Sequence, residues 1–108
     1  MNLIDELIES GKEGFVILEP RSIFDNALTG YDDKQNRLIY KRERLVACLA
    51  EDNLNNECYP DGHECYLMAL EWIDYNTMRS LPYMGEYRPI VLVRDEEDNL
   101  VDYEVEND

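Results

Sequence analysis

The segment His63–Ser80 carries the most regular helical pattern in the chain, and it constrains the fold more than any other segment. At about 100° per residue, one sector of this helix is mainly apolar and holds Tyr66, Ala69, Leu70, Ile73 and Thr77. A second sector is acidic and holds Glu64, Glu71 and Asp74, and a third holds Cys65, Trp72 and Asn76. The pattern predicts a mostly buried helix with one acidic stripe in water, so other elements must cover the rest of it.

The remaining elements predicted from the sequence are short. Before the long helix they are a helix capped by Asn2 and ended by Gly11, a strand at Phe15–Leu18 and a helical turn at Pro20–Phe24. Then come a hairpin of Ala27–Tyr31 and Arg37–Tyr40, a helix at Lys41–Glu51 and a loop at Asn53–Gly62. After the long helix, Pro89–Val93 and Leu100–Val105 form a second hairpin.

This order of elements predicts one acidic α+β domain over residues 1–108. Helices and strands are interspersed, but the intervals between strands are too short for regular parallel crossovers. We therefore expect a small, mainly antiparallel sheet of about five short strands, with about three helices packed on one face.

Acidic residues outnumber basic residues by 25 to 10, and the excess lies in the second half of the chain. Residues 1–50 hold nine acids and seven bases, a net charge of −2, whereas residues 51–108 hold sixteen acids and three bases, a net charge of −13. A surface this negative repels phosphates and anionic lipids, so direct binding to nucleic acid or membranes is disfavoured. The expected partners are cationic proteins or metal cations.

Nothing in the sequence indicates export. Residues 1–10 are acidic and amphipathic, unlike a secretory leader with a basic start and an apolar run. No apolar segment approaches the roughly 20 residues that span a bilayer. Cys48, Cys58 and Cys65 are an odd number at no disulfide spacing, which is typical of free thiols in a reducing cytoplasm.

Cys58, His63 and Cys65 raise two chemical alternatives. A zinc ion could bind them with Asp61 or Cys48 as a fourth ligand, although Cys-x4-His-x-Cys matches no usual zinc spacing. A Cys–His pair could also form a nucleophile, but no phosphate loop or nucleophile elbow accompanies it. We interpret the segment as a surface loop with ordinary thiols, and predict no catalysis, no metal and no cofactor.

Part of the chain resembles a recurrent type of small protein in bacteriophage and prophage genomes. The matching features are Gly30-Tyr31-Asp32, Arg37-Leu38-Ile39-Tyr40, the run ALEWIDYNT at 69–77, the run LPYMGE at 81–86, and Pro89-Ile90-Val91. Asn53–Cys65 departs from that pattern because it is longer and richer in cysteine. The resemblance implies a phage origin and action inside a bacterial cell, and it implies no catalytic residue.

Asp74–Gly85 combines tyrosine, asparagine and methionine with Arg79 where the long helix ends. One interpretation is structural: Asn76 caps or cross-links the core, Pro82 ends the helix, and Gly85 permits a left-handed turn. The alternative is a recognition patch, because Tyr, Trp, Met and Arg are enriched among interface anchors.

The acidic excess is either a solvated face that maintains solubility or a binding surface. Carboxylates two residues apart on a strand lie about 6–7 Å apart, similar to successive phosphates along one DNA strand. We therefore predict a phage-type, non-catalytic inhibitor that imitates DNA or RNA and blocks a basic nucleic-acid-binding host protein, as anti-CRISPR, anti-restriction or transcription-inhibitor proteins do. This mechanism requires one continuous acidic patch. The predicted contact residues are Glu64, Glu71, Asp74, Tyr83, Glu86, Tyr87, Asp95, Glu96, Glu97, Asp98, Asp102, Glu104 and Glu106.

A further alternative is a self-associating structural or regulatory phage protein. Lys34–Arg44 has five bases and one acid, whereas Asp95–Asp108 has eight acids and no base. The basic segment of one copy could meet the acidic segment of the next. Such a head-to-tail contact must close into a ring or propagate as a filament.

Overall fold

The computed structural model describes residues 2–103 and begins with a short helix, α1 (Leu3–Glu9). As predicted, Asn2 caps this helix, and its side-chain oxygen accepts a hydrogen bond from the amide of Asp5 at 3.0 Å. Gly11 follows the helix with a φ of +88°, a conformation that favours glycine. Ile4 is fully buried, so one side of α1 packs on the core.

The predicted strand at Phe15–Leu18 is wrong, because residues 12–18 form no regular secondary structure and join no sheet. In the part predicted as a strand, the amide of Val16 donates to the carbonyl of Tyr87, and the amide of Leu18 donates to the phenol oxygen of Tyr40, both at 3.2 Å. Phe15 and Leu18 are buried. The apolar run therefore indicates burial correctly, but side-chain packing and not strand pairing accounts for it.

The helical turn and first hairpin predicted next are both confirmed. Helix α2 (Arg21–Phe24) leads through a 3₁₀ turn (Asp25–Ala27) into strands β1 (Leu28–Asp32) and β2 (Arg37–Lys41). The strands are antiparallel, with an irregularity in register between Leu28 and Gly30. In the turn, the Asp32 carboxylate accepts hydrogen bonds from the backbone amides of Lys34 and Gln35.

Two longer helices follow the hairpin and pack against each other. Helix α3 (Arg42–Asn55) continues four residues beyond its predicted end, so the predicted loop shrinks to residues 56–61. Helix α4 (Gly62–Trp72) begins after Asp61, whose carboxylate accepts a hydrogen bond from the amide of Glu64 at 2.8 Å.

The predicted long helix continues beyond α4 as a π-helix (Ile73–Met78), and a 3₁₀ turn (Leu81–Tyr83) follows. A π-turn shifts the phase of the side chains that come after it. Met78 is buried, although it lies eleven residues after the exposed Leu67 and would share its face in an uninterrupted α-helix. The wider turn therefore directs Met78 into the core.

The second predicted hairpin consists of β3 (Ile90–Arg94) and β4 (Leu100–Asp102). The end of its predicted second strand, residues 104–105, lies outside the described residues. The strand order is β1-β2-β3-β4, with β3 parallel to β2 and antiparallel to β4. The α+β class and the mainly antiparallel sheet are confirmed, with four described strands and four helices where about five and three were expected.

The helices pack on one face of the sheet, as predicted. That face carries Leu38, Tyr40 and Val91, which belong to the same buried cluster as the helix residues Phe24, Leu45 and Ile73. Tyr40 is fully buried, and burial raises the pKa of its phenol to about 12. No helix within residues 2–103 is long and apolar enough to cross a bilayer.

Candidate partner-binding surface

The exposed side of α4 and the following turn combines apolar and acidic side chains. We call Glu64, Leu67, Met68, Glu71 and Tyr75 the outer face. Their spacing of i, i+3, i+4, i+7 and i+11 places them on one side of the helix. Leu67 is 43 % exposed, Met68 37 % and Tyr75 66 %, and α4 has no lysine or arginine.

The opposite side of α4 explains why the outer face is presented to solvent. Cys65, Ala69 and Ile73 are all buried, so this side is fixed on the core. The prediction that only one acidic stripe of this helix reaches water is wrong, because Tyr66 is 48 % exposed and Trp72 41 %. The main helical neighbour of α4 is α3, and the Trp72 ring lies 6.0 Å from the ring of Phe24 on α2.

The turn between β3 and β4 is densely acidic. The Asp95 carboxylate accepts hydrogen bonds from the amides of Glu97 and Asn99, both at 2.9 Å, and Asp98 has a φ of +64°. These bonds fix the backbone and leave the side chains of Glu96 and Glu97 in solvent. Neither glutamate forms an ion pair with any residue between 2 and 103.

A groove of about 510 Å³ lies between the π-helix and the β3–β4 hairpin, and Arg42, Arg79 and Arg94 line it. Asp74 borders it on the helical side, and Nη2 of Arg42 lies 2.6 Å from Oδ1 of Asp74. The Arg79 guanidinium stacks over the ring of Tyr75, 4.2 Å from its centroid.

Arg94 is paired on the other side of this groove. Its Nη2 lies 3.2 Å from Oε1 of Glu43, and its Nε lies 3.7 Å from Oδ1 of Asp98. The hydrogen bond from Arg94 holds the pKa of Glu43 below its ordinary value, and the same bond raises the pKa of Arg94. Neighbouring carboxylates therefore compensate Arg42 and Arg94, and the groove, which Met78, Leu92 and Val93 also line, has no strong excess of positive charge.

All eleven predicted contact residues within the described chain are exposed: Glu64, Glu71, Asp74, Tyr83, Glu86, Tyr87, Asp95, Glu96, Glu97, Asp98 and Asp102. Tyr83 is 89 % exposed. Glu104 and Glu106 lie outside the described residues. The expected single acidic patch is interrupted, because the arginine-lined groove lies between Asp74 and the hairpin. The carboxylates of the helix and of the turn thus form two acidic regions.

The segment around Cys58, His63 and Cys65 gives no support to the zinc or nucleophile alternative. Cys65 is buried, whereas Cys58 and His63 are exposed. Within residues 2–103, no three His, Cys, Asp or Glu side chains are grouped to hold a metal ion. Burial raises the pKa of the Cys48 thiol, which disfavours the thiolate that a zinc ligand or nucleophile requires.

The basic segment Lys34–Arg44 does not form a continuous basic surface. Arg37 is 8 % exposed, and its guanidinium donates to the carbonyl oxygens of Arg88 at 2.6 Å and Pro89 at 3.4 Å. Burial lowers the pKa of Arg37. Arg42 is paired with Asp74, and Arg44 donates a hydrogen bond to the carbonyl of Asn26 at 3.2 Å. Three of the five bases therefore make internal contacts, which weakens the case for head-to-tail self-association.

Sequence patterns missed both the apolar part of the outer face and the arginine-lined groove. A signal for the first was present, because Leu67, Met68 and Tyr75 fall in the same sector of the helical projection as Glu64 and Glu71. The groove had no local signal, since its three arginines come from α3, the end of the long helix and β3.

No family model, curated protein or solved structure matches this chain. The resemblance to phage proteins, and the bacterial cytoplasm that it implies, therefore stay predictions.

Proposed function

We propose that the protein is a non-catalytic binding protein that covers a cationic, nucleic-acid-binding surface of another protein. The observation that carries the proposal is the β3–β4 turn, where Glu96 and Glu97 extend from a hydrogen-bonded backbone without a counterion among residues 2–103. Clefts that bind nucleic acid offer lysine and arginine side chains, which donate charge-assisted hydrogen bonds to carboxylates as well as to phosphates.

The acidic residues of α4 extend the same electrostatic pattern. Glu64 and Glu71 are exposed, and α4 has no lysine or arginine to oppose them. A basic partner is attracted over long range by the net charge of −13 in residues 51–108, which accelerates encounter at low ionic strength. In this proposal the protein is a phage inhibitor of a bacterial DNA- or RNA-binding protein, an origin supported by the sequence resemblance alone.

The test is capture followed by competition. The immobilised protein is exposed to a bacterial lysate, the retained protein is eluted with salt and identified, and a DNA or RNA duplex is then added as competitor to the purified pair. We expect salt to release the partner and one duplex to displace it, because both ligands occupy one cationic surface. A partner that neither duplex displaces, or the lack of any salt-sensitive partner, would overturn the proposal.

A charge-matched pair of variants sharpens this test. Glu96→Gln/Glu97→Gln removes two charges from the β3–β4 turn, and Glu6→Gln/Glu9→Gln removes two exposed charges from α1. Both change the net charge equally, so a larger loss of binding in the first variant assigns the effect to the turn. Equal losses would show that net charge alone attracts the partner and would contradict the role of the turn.

A further inference from the structure

The outer face of α4 carries exposed apolar side chains, which a protein that only imitates the charge of a nucleic acid does not require. From it we infer that the partner docks a basic amphipathic helix on this face, with its apolar side on Leu67, Met68 and Tyr75 and its lysines or arginines against Glu64 and Glu71. The inference rests on the proposed function, because it names the element of the basic partner that makes short-range contact.

Exposure is the first observation. Leu67, Met68 and Tyr75 are exposed by 43 %, 37 % and 66 %, although the opposite side of the same helix is buried in the core. Large apolar side chains that share one rigid face are typical of protein–protein contacts, whereas scattered single ones are ordinary. Aromatic residues and methionine are also enriched in interface cores, and the flexible thioether adapts to varied partners.

The length of the outer face fits a helix. Glu64 and Tyr75 are eleven positions apart, which corresponds to about 16 Å, or three turns, along the axis. Apolar residues that recur every three or four positions form a ridge into which a second helix packs. A partner helix of three to four turns therefore covers the whole face.

Charge distinguishes the partner from a second copy of this protein. α4 has no lysine or arginine, and Glu71 lies near the middle of the outer face, so two outer faces packed on each other bring the Glu71 carboxylates of both copies close together. Arg79 lies beyond the end of α4 and is stacked on Tyr75. Like charges across an interface are unfavourable, whereas basic side chains flanking an apolar ridge match this face.

The direct probe is a synthetic 18-residue peptide of leucine and lysine whose leucines share one helical face. The comparison peptide has the same composition but scrambled, so its leucines share no face. We expect the amphipathic peptide to bind the full-length protein at least about tenfold more tightly, and to shift the amide resonances of residues 64–75. Equal affinity for the two peptides, or resonance shifts confined to the β3–β4 turn, would overturn the inference.

Matched variants assign the contact to side chains. Leu67→Ser and Tyr75→Ser each remove an exposed apolar group from the outer face, whereas Ile8→Ser removes one from α1, where Ile8 is 53 % exposed. We expect the first two to weaken binding of the amphipathic peptide by about three- to tenfold and the third to leave it unchanged. Thermal unfolding of all three checks that they fold.

The two proposals fail in different ways. If a duplex displaces the captured partner but Leu67→Ser binds that partner as tightly as the unaltered protein does, the helix inference is wrong and the proposed function stands. If no duplex displaces any partner, the proposed function is wrong whatever the peptide does. A dimer in sedimentation that Leu67→Ser dissociates would assign the face to a second copy and overturn the inference.

Discussion

The outer face of α4 and the β3–β4 turn are both acidic, but they are built differently. α4 is fixed by buried residues on its inner side, including Ala69 and Ile73, whereas no residue of β4 is buried. The helix places apolar groups between its carboxylates, and the turn presents carboxylates alone. Equal charge in the sequence therefore does not imply equal function: the turn suits long-range attraction, and the helix suits close packing.

The largest expected effect tests the difference in how the two regions are anchored. Ile73→Ala creates a cavity under α4 and should lower the free energy of unfolding by about 2–5 kcal/mol. Val101→Ala on β4 removes a residue that is 39 % exposed and should cost less than about 1 kcal/mol. Urea unfolding measures both values. Similar decreases in the free energy of unfolding of the two variants would contradict the conclusion that α4 is anchored more firmly than β4.

The next effect concerns Tyr40 on β2, the strand that lies between β1 and β3 in the sheet. Tyr40→Phe leaves the buried amide of Leu18 without its partner and should cost about 1–3 kcal/mol at neutral pH. Since β2 supports elements on both sides, amide hydrogen exchange should accelerate in α4 and β3 together. Faster exchange in α4 alone would show that the two regions are not stabilised as one unit.

The same residue gives a prediction for pH. Burial raises the pKa of Tyr40 to about 12 in the folded protein, above its ordinary value of 10.0. The unfolded chain therefore loses this proton first, so the stability from Tyr40 is complete below pH 10.0 and falls as the pH rises toward about 12. The stability difference between the unaltered protein and Tyr40→Phe should shrink over this range. Parallel curves would contradict the assignment.

A smaller effect separates the roles of the two regions in binding kinetics. Glu96→Gln/Glu97→Gln should slow association with the captured partner by about three- to tenfold at low salt. The association rate at high salt and the dissociation rate should change little. Leu67→Ser should instead accelerate dissociation. Rates measured by surface plasmon resonance at two ionic strengths distinguish these cases. If both variants accelerate dissociation, the turn and the outer face contribute to the same short-range contact, and the proposed division of roles is wrong.

The smallest effect concerns the ion pair that joins β3 to the start of α3. Arg94→Gln should raise the pKa of Glu43 toward its ordinary value, because the hydrogen bond that lowers it is lost. In the unaltered protein this pair stabilises the fold above the ordinary glutamate pKa, and the effect is lost as the pH falls. An NMR titration of the Glu43 carboxyl measures the shift, and Lys12→Gln, which removes the pair with Asp33, should leave it unchanged.

Local signals predicted the elements well. The Asn2 cap, the end of the first helix before Gly11 and the first hairpin all follow from short-range chemistry, and the structure contains each of them. Phe15–Leu18 failed because four apolar residues in a row are equally compatible with a buried extended segment, and only a free neighbouring edge makes them a strand. The parallel pairing of β2 with β3 joins residues about fifty positions apart, and no local pattern records it.

The candidate site was predicted only in part. Exposure of the acidic residues followed from their charge, since unpaired carboxylates are rarely buried. The division into two regions did not, because it depends on Arg42 reaching Asp74 and on Arg94 reaching Glu43 across the fold. Long side chains from distant segments decide where charge is compensated, and sequence spacing does not contain that information.

The π-helix at Ile73–Met78 lets this part of the chain accommodate one extra residue. Its wider turn rotates the side chains that follow by about 100°, the angle of one residue, relative to an uninterrupted α-helix. Deleting one residue within it should therefore restore a regular α-helix and leave Met78 and Leu81 facing the core. Changes in length should also be tolerated in the connection at residues 56–61, where every residue is exposed.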